Sequence, residues 1–342
     1  MADTTLKGKM LAQPRWLWIV GIVLSVIALA FAVRGVRWPE VWQAIRNARI
    51  ALVVLGLVIV VLTTVAKAMR WRWLLFPEHE RMRLRDLLAA LLVGQMLNTL
   101  VPARAGDLAR AYHLGEHTQV SKATVLGSVV AEKVMDMVML ALCALIALPW
   151  LYLVPWVESS TLVLAVTAAL ALLIVVALAW FGERLLEYLY PLLQKLPTGD
   201  WLSRLGRSGV NGLQTFRNSR ASFKAWLWSG LAYLLAVSVN YVLFAAMDIH
   251  VPASVGLLLM VVLYIGAAPP SLPGKVGIFH GITVLTLTLF GVLPSTALAY
   301  GALLHLTIFL PPTILGLLIL SLRPKPPVRM EGDAAWPKES LR

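Results

Sequence analysis

The chain has 342 residues, of which 59% are hydrophobic and 14% are charged, and its mean hydropathy is +0.79. Soluble domains carry about 25% charged residues, so this composition excludes a soluble globular domain and predicts a membrane protein. The net charge of +13 indicates contact with anionic lipid headgroups rather than with nucleic acid, because no soluble domain is predicted to offer a basic face.

Six apolar segments are long enough, or nearly so, to cross a bilayer as helices of about 20 residues. They are 16–33, 50–66, 137–157, 161–181, 225–247 and 296–320. The first is too long to be a cleaved secretory signal and is predicted to be retained. Three further apolar segments are too short to cross comfortably: 87–101, 253–268 and 276–292. The pattern predicts an all-α polytopic membrane protein with six full transmembrane helices.

The basic residues predict an orientation, because Lys and Arg collect in cytoplasmic loops. Six of them fall in 67–86 and seven in 183–224, whereas 158–160 and 248–252 contain none. Both termini are therefore predicted to lie on the cytoplasmic side of the inner membrane. Segment 34–49 is an exception, because its four arginines would lie outside.

Two Pro/Gly breaks interrupt the short apolar segments. In this orientation, segment 87–101 cannot cross the membrane as a single helix. Pro102 disfavours helix in the residue before it. Segment 87–122 is therefore predicted to be a re-entrant helical pair. Segment 253–292 contains a second such pair. Short broken segments in corresponding halves point to a transporter site at a repeat interface. An inverted repeat is thus a hypothesis, although no residue-by-residue repeat is visible.

These elements divide the chain into five parts. Residues 1–15 form a cytoplasmic N-terminus, 16–182 the first membrane half and 225–322 the second. Between the halves, 183–224 is basic and amphipathic, which fits either a helix on the membrane surface or a plain linker. The proline-rich, polar tail 323–342 is predicted to be disordered.

Charged residues inside the apolar segments are the candidates for function. A charge at mid-membrane costs about 2.5–3.5 kcal/mol, so such groups must be paired or hydrated. Glu132 and Asp136 share one helical face and invite a cation, which Arg104 or Arg110 could supply. Two interpretations stay open: a structural ion-pair network, or a polar cavity for a charged lipid headgroup in which carboxylates orient the arginines.

Signatures of enzymes and metal sites are missing from the sequence. The single cysteine excludes an intramolecular disulfide, and the histidines do not cluster with carboxylates at convincing ligand spacing. No catalytic residue, metal or cofactor is predicted. No ATP site is visible either, so any transport would be downhill or ion-coupled.

Three motifs resemble a known family. GQMLNTLVPARAGDLARAYHLG is similar to the G-x-x-x-N-x-x-x-P-x-R-x-G-[DE]-x-x-R signature of the lysylphosphatidylglycerol synthetase transmembrane region, the flippase-like or UPF0104 family. AEKVMDMVML resembles that family's E-[RK]-x-x-D helix, and SLPGKVGIFHG resembles its P-x-P-G-G-x-G-x-[FH]-E block. The resemblance covers roughly residues 15–322. Lys275 stands where the family usually has glycine, and His280 where it usually has glutamate.

The resemblance implies lipid handling. In the multiple peptide resistance factor, this region is fused to an aminoacyl-transfer domain and is thought to flip the aminoacylated lipid; this chain resembles the stand-alone members. The main hypothesis is a lipid transporter or flippase that binds an anionic phospholipid or polyprenyl phosphate. The predicted headgroup-binding residues are Asn98, Arg104, Arg110, Lys275 and His280, the orienting carboxylates are Asp107, Glu132 and Asp136, and the loop-shaping residues are Pro102, Gly106, Pro273, Gly274 and Gly277.

Two other hypotheses remain. One is a membrane-embedded enzyme that acts on lipid phosphates. The other is a non-transporting partner of a lipid-modifying enzyme.

Overall fold

Helices dominate the computed structural model of the protein, and its described part contains no strand. The structure describes residues 15–100, 105–117, 120, 122–151, 155–193, 203, 206–207, 209–266 and 273–322. The all-α membrane class predicted from composition is confirmed.

The helices, in chain order, are α1 (Arg15–Val33), α2 (Trp38–Arg46), α3 (Ile50–Leu74), α4 (Leu84–Leu100), α5 (Ala105–His117), α6 (Lys122–Leu151), α7 (Pro155–Leu193), α8 (Ser219–Ala246), α9 (Ser254–Gly266), α10 (Ile278–Thr288) and α11 (Pro294–Leu322). Short 3-10 turns occupy Glu78–Glu80, Gln214–Arg217 and Pro273–Lys275.

Within the described ranges, three helices have the length and apolar composition needed to cross a membrane: α3, α8 and α11. They contain the predicted spans 50–66, most of 225–247, and 296–320. Helices α9 and α10 are apolar but short, as expected for 253–268 and 276–292. Whether these two cross or re-enter stays a prediction.

Several helices extend beyond the predicted boundaries. Helix α6 begins at Lys122 rather than near 137, so Glu132 and Asp136 lie inside a helix rather than at its entry. Helix α7 runs from Pro155 to Leu193, past the expected end of the first half at 182 and into the predicted connector. Helix α3 continues to Leu74, because no proline or glycine interrupts it after Gly56. Its last turns therefore include residues that were predicted to form a cytoplasmic loop.

Helices α3 and α8 form a long antiparallel pair. At one end, the backbone N–H of Arg49 donates to the carbonyl oxygen of Ala246 at 2.8 Å. At the other, the hydroxyl of Thr215, just before α8, donates to the carbonyl oxygen of Leu74 at 3.0 Å. Gly56 faces α8 at van der Waals distance from Leu243. The pair therefore runs through the length of the bundle.

Two clusters of buried apolar side chains lie along this pair. The first includes Trp71 of α3, Met135 of α6 and Ala225 of α8. The second includes Val60 of α3 and Leu243 of α8. Because α3 and α8 each contribute to both clusters, they connect the two hydrophobic cores.

The first predicted break lies between α4 and α5, which pack closely against each other. Gly106 is required there, because a Cβ would collide with the backbone oxygen of Gly94. The amide N–H of Gly106 donates to the side-chain oxygen of Asn98 at 2.9 Å. Pro102 and Arg104 lie outside the described residues. The re-entrant character of this pair stays a prediction.

The second predicted break is a left-handed turn. Gly274, Lys275 and Gly277 have φ values of +71°, +57° and +93°, which glycine adopts readily and other residues rarely do. A Cβ at Gly277 would collide with the backbone oxygen of Ser25 on α1. Nε2 of His305 lies 2.6 Å from the carbonyl oxygen of Gly274, so α11 holds the turn that begins at Pro273.

Candidate functional site

A charged cavity of about 190 Å³ lies among α3, α4, α5, α6, α8 and α9. Its charged lining residues are Lys67, Arg70, Asp107, Arg110, Glu132, Lys133 and Asp136. The four cationic and three anionic side chains leave one net positive charge. Its uncharged polar lining residues are Gln95, Asn98, Tyr233 and Tyr264.

Glu132 is the centre of the ion-pair network at the buried side of this cavity. One carboxylate oxygen accepts from Arg110 Nη1 at 2.8 Å, and the other lies 2.9 Å from Arg70 Nη2. The side chains of Glu132, Arg70 and Arg110 are 6%, 1% and 3% exposed. Removing one partner from such a buried pair is expensive, because the remaining charge stays buried and uncompensated.

Asp136 lies one helical turn beyond Glu132 on α6 and also pairs with Arg70. Nη1 of Arg70 donates to Asp136 Oδ1 at 2.5 Å. The hydroxyl of Tyr233 on α8 donates to the backbone carbonyl of Asp136 at 2.9 Å. Tyr233 stands near the middle of α8, about 20 Å from either end at 1.5 Å per residue. The cavity therefore reaches well into the bundle.

Arg110 has guanidinium N–H donors that no described acceptor uses. Its guanidinium lies over the ring of Trp71, 5.0 Å from the ring centroid. Its Nε and Nη2 are buried and have no hydrogen-bond acceptor among the described residues. Nη2 is 3.5 Å from Asp107 Oδ1, which is close enough for attraction but supplies no hydrogen bond. Adjacent guanidinium donors suit the two oxygens of a phosphate or carboxylate.

Asp107, Lys133 and Asn98 form the more exposed part of the lining. Lys133 Nζ lies 3.1 Å from Asp107 Oδ2, and these side chains are 41% and 19% exposed. The amide of Asn98 is 3.5 Å from Asp107 Oδ1. Charges are thus buried at the base of the cavity and more exposed towards its mouth.

The structure brings five of the predicted site residues into this one cavity: Asn98, Asp107, Arg110, Glu132 and Asp136. Arg104 lies outside the described residues. Lys275 and His280 do not line the cavity. Since parts of both breaks lie outside the described residues, the expectation of one site shared by both breaks stays a prediction.

His280 belongs to a second, largely aromatic cluster. The rings of His280 and His305 are 5.2 Å apart, and Phe279 and Phe309 lie against His305. The turn Pro273–Lys275 nevertheless packs against α4, the helix that carries Asn98 into the cavity. The two regions are neighbours along α4. In the described ranges, no group of three or more His, Cys, Asp or Glu side chains could hold a metal ion.

Arg70 is the central residue that sequence reasoning missed, because it was assigned to a cytoplasmic loop. A usable signal was the lack of a helix breaker before Pro77, which extends α3 and puts Lys67, Arg70 and Trp71 on one face at spacings of three and four. Tyr233, Tyr264 and Gln95 carried no comparable signal, since only tertiary packing brings them to the cavity.

The fold and the cavity define a polytopic α-helical membrane protein with a buried ion-pair network. The chain belongs to the family described as the lysylphosphatidylglycerol synthase TM region, which matches residues 18–316. No solved structure shows significant similarity to it.

Related proteins include two archaeal UPF0104 membrane proteins. The one from Methanothermobacter thermautotrophicus is 25% identical over 81% of this chain and 87% of its own length. The one from Methanocaldococcus jannaschii is 19% identical over 86% of this chain and 91% of its own length. The glycosyltransferase AglD of Haloferax volcanii is 30% identical over 36% of this chain, which corresponds to 20% of that enzyme.

Proposed function

We propose that this protein is a lipid transporter of the flippase type, which carries an anionic phospholipid or polyprenyl phosphate with its headgroup in the charged cavity. The acyl or prenyl chains stay in the surrounding bilayer. The protein moves the lipid without changing it chemically, and it resides in the cytoplasmic membrane with both termini inside.

The observation that carries the proposal is the unused donor capacity of Arg110. Nε and Nη2 are buried without an acceptor in the described structure, and a buried polar group without a partner is costly. A phosphate oxygen entering the cavity would supply acceptors to both donors at once. The net positive charge of the lining favours an anion over a neutral or cationic headgroup.

The shape of the charge distribution also supports transport rather than static packing. Buried polar groups of a purely structural network are usually hydrogen-bonded. In the described part of the structure, however, buried donors on Arg110 and Nε of Arg70 have no acceptor. The charged side chains that line the cavity would let a headgroup keep polar contacts after it leaves the membrane surface.

The test is a lipid-movement assay in vesicles that contain the purified protein. Fluorescent phosphatidylglycerol in the inner leaflet becomes accessible to a membrane-impermeant quencher only if it crosses the bilayer. We expect wild-type vesicles to expose it faster than protein-free vesicles and Arg110→Gln vesicles to lose most of that increase.

The matched control is Arg217→Gln, which removes an arginine paired with Glu183 at 3.7 Å on the surface. This variant should move lipid at the wild-type rate. Failure of folded wild-type protein to move phosphatidylglycerol, phosphatidylcholine or a polyprenyl phosphate would overturn the proposal.

A second candidate is a non-transporting partner of a lipid-modifying enzyme. It is favoured by the match to a segment of a protein named as a glycosyltransferase. Stable co-purification with such an enzyme, combined with no lipid movement by either alone, would support this candidate instead.

A further inference from the structure

Asp136 and Glu132 are held differently, although they lie one turn apart on the same helix. Both oxygens of Glu132 contact arginines, and its side chain is 6% exposed. Asp136 contacts Arg70 through a single oxygen, and its side chain is 30% exposed. Of the two carboxylates, Asp136 is therefore the more exposed and the one with fewer arginine contacts.

Arg70 is the residue that would respond to protonation of Asp136. It is 1% exposed, it is held between Glu132 and Asp136, and its Nε has no acceptor among the described residues. If Asp136 takes up a proton, Arg70 loses one of its two anionic partners. A buried cation that is only partly neutralised attracts another anion strongly, and the cavity beside Arg70 has room for one.

Charged or titratable groups line the cavity around Asp136 from α3, α5, α6, α8 and α9. Tyr233 on α8 binds the backbone carbonyl of Asp136 rather than its carboxylate, so it does not replace Arg70 as a partner. Glu132 has a second cationic partner in Arg110, whose Nη1 lies 2.8 Å from its carboxylate. The other charged or titratable lining residues are Lys67, Asp107, Lys133 and Tyr264.

We propose that Asp136 is a proton-binding site coupled to the anion site: protonation of Asp136 frees Arg70 to bind the phosphate of the headgroup. This inference rests on the proposed function and adds to it the coupling ion. In the empty cavity, the carboxylate of Asp136 accepts a hydrogen bond from Arg70. In the loaded cavity, the phosphate of the headgroup accepts from the same donor of Arg70. The protein then carries a proton and an anionic headgroup together, so that less net charge crosses the membrane than with the headgroup alone.

Coupling of this kind is reciprocal. If protonation tightens anion binding, anion binding must favour protonation by the same factor. Two independent consequences follow. The anion binds more tightly at lower pH, and its binding takes up protons from solution.

The probe is dihexanoyl phosphatidylglycerol, which dissolves as monomers, added to the full-length protein in nanodiscs of phosphatidylcholine. A pH-indicator dye in weak buffer measures proton uptake, and a parallel titration measures affinity between pH 5.5 and 8. For wild-type protein we expect uptake of up to about one proton per bound lipid. In the pH range where lipid binding and protonation are coupled, the affinity should fall by as much as about tenfold for each unit that the pH rises.

The decisive variant is Asp136→Asn, which imitates the protonated side chain. It should bind the probe at pH 8 about as tightly as the wild type does at low pH, without proton uptake and with little dependence on pH. The control is Glu183→Gln, which removes a surface carboxylate paired with Arg217 and should behave like the wild type. If Asp136→Asn does not fold, Asp136→Ser, which also lacks the carboxylate, takes its place, and an absence of proton uptake by the wild type still overturns the proposal.

The two proposals fail in different ways. Probe binding with no proton uptake and no pH dependence in the wild type would overturn the role of Asp136 and leave the anion site in place. No binding of the probe by folded wild type or Asp136→Asn at any pH would overturn the anion site itself, and the coupling with it.

Discussion

Arg70 and Glu132 lie 2.9 Å apart inside the bundle, on two helices that are separated in sequence by the whole α4–α5 pair. Both side chains are almost completely buried. Their contact joins α3 to α6, and Arg110 joins α5 to the same carboxylate. Three helices therefore share one buried acid, which ties α3, α5 and α6 together inside the bundle.

Removing Arg70 should destabilise the protein strongly. In Arg70→Met, Glu132 keeps only Arg110 and Asp136 loses its arginine, and breaking a buried pair costs about 3–5 kcal/mol. The expected result is a clear drop in the thermal unfolding temperature in detergent. The control is Arg81→Met, which breaks an exposed pair with Glu78 and should change stability by less than about 1 kcal/mol. Equal effects of the two changes on stability would show that the buried network contributes no more than an exposed ion pair does.

Gly106→Ala should separate α4 from α5 and disable the cavity. The new methyl group would collide with the backbone oxygen of Gly94, which cannot move like a flexible side chain. We expect loss of folded protein or of lipid movement, measured by monodispersity and by the vesicle assay. Gly230→Ala is the matched control, because a Cβ there meets nothing within 4 Å and alanine favours helix over glycine by about 1 kcal/mol. A well-folded, active Gly106→Ala would mean that the two helices do not pack as described.

His305 should stabilise the left-handed turn that begins at Pro273. Its Nε2 lies 2.6 Å from the carbonyl oxygen of Gly274, and His305→Phe removes that contact while keeping a ring. We expect faster backbone hydrogen exchange in 273–281, measured by mass spectrometry, with little change in α8. His250→Phe, which alters an exposed histidine, should leave exchange in 273–281 unchanged. Unaltered exchange in His305→Phe would show that the turn is held by other contacts.

Helix α2 should lie along the membrane interface. Trp38 and Trp42, which share a helical face, are 62% and 68% exposed, and tryptophan prefers the interface to either water or hydrocarbon. A spin label at Trp42→Cys, in a Cys143→Ser background, should report a depth near the headgroups. The comparison is a label at Ile59→Cys, in the middle of α3, which should report either the hydrocarbon or the protein interior and in both cases no contact with water. A fully aqueous label at position 42 would refute this placement.

Much of the fold follows from the sequence, because hydropathy alone identifies apolar segments. The predicted spans in α3, α8 and α11 were confirmed. Helix ends were less predictable: α6 begins at Lys122 and includes Glu132 and Asp136 because ion pairs with neighbouring helices compensate charges that would otherwise end a membrane segment. Hydropathy takes account of the charge of a residue but not of the ion pair that compensates it.

The same limitation explains the cavity. Asn98, Asp107, Arg110, Glu132 and Asp136 were candidates because their charge or polarity stands out in apolar surroundings. Arg70 was not, because it follows an apolar run close to further basic residues and resembles a loop residue. His280 was assigned to the same site, yet packing of α10 against α1 and α11 places it in the aromatic cluster. Position along a chain does not determine which neighbour a helix faces.

The shared helices α3 and α8 limit how the molecule can change shape. Since each contributes side chains to both hydrophobic cores, the halves of the protein cannot rock against each other as two independent rigid bodies without tearing one core apart. For the lipid movement proposed above, exposure of the cavity to each leaflet in turn would have to come from tilting of the shorter peripheral helices around this central pair.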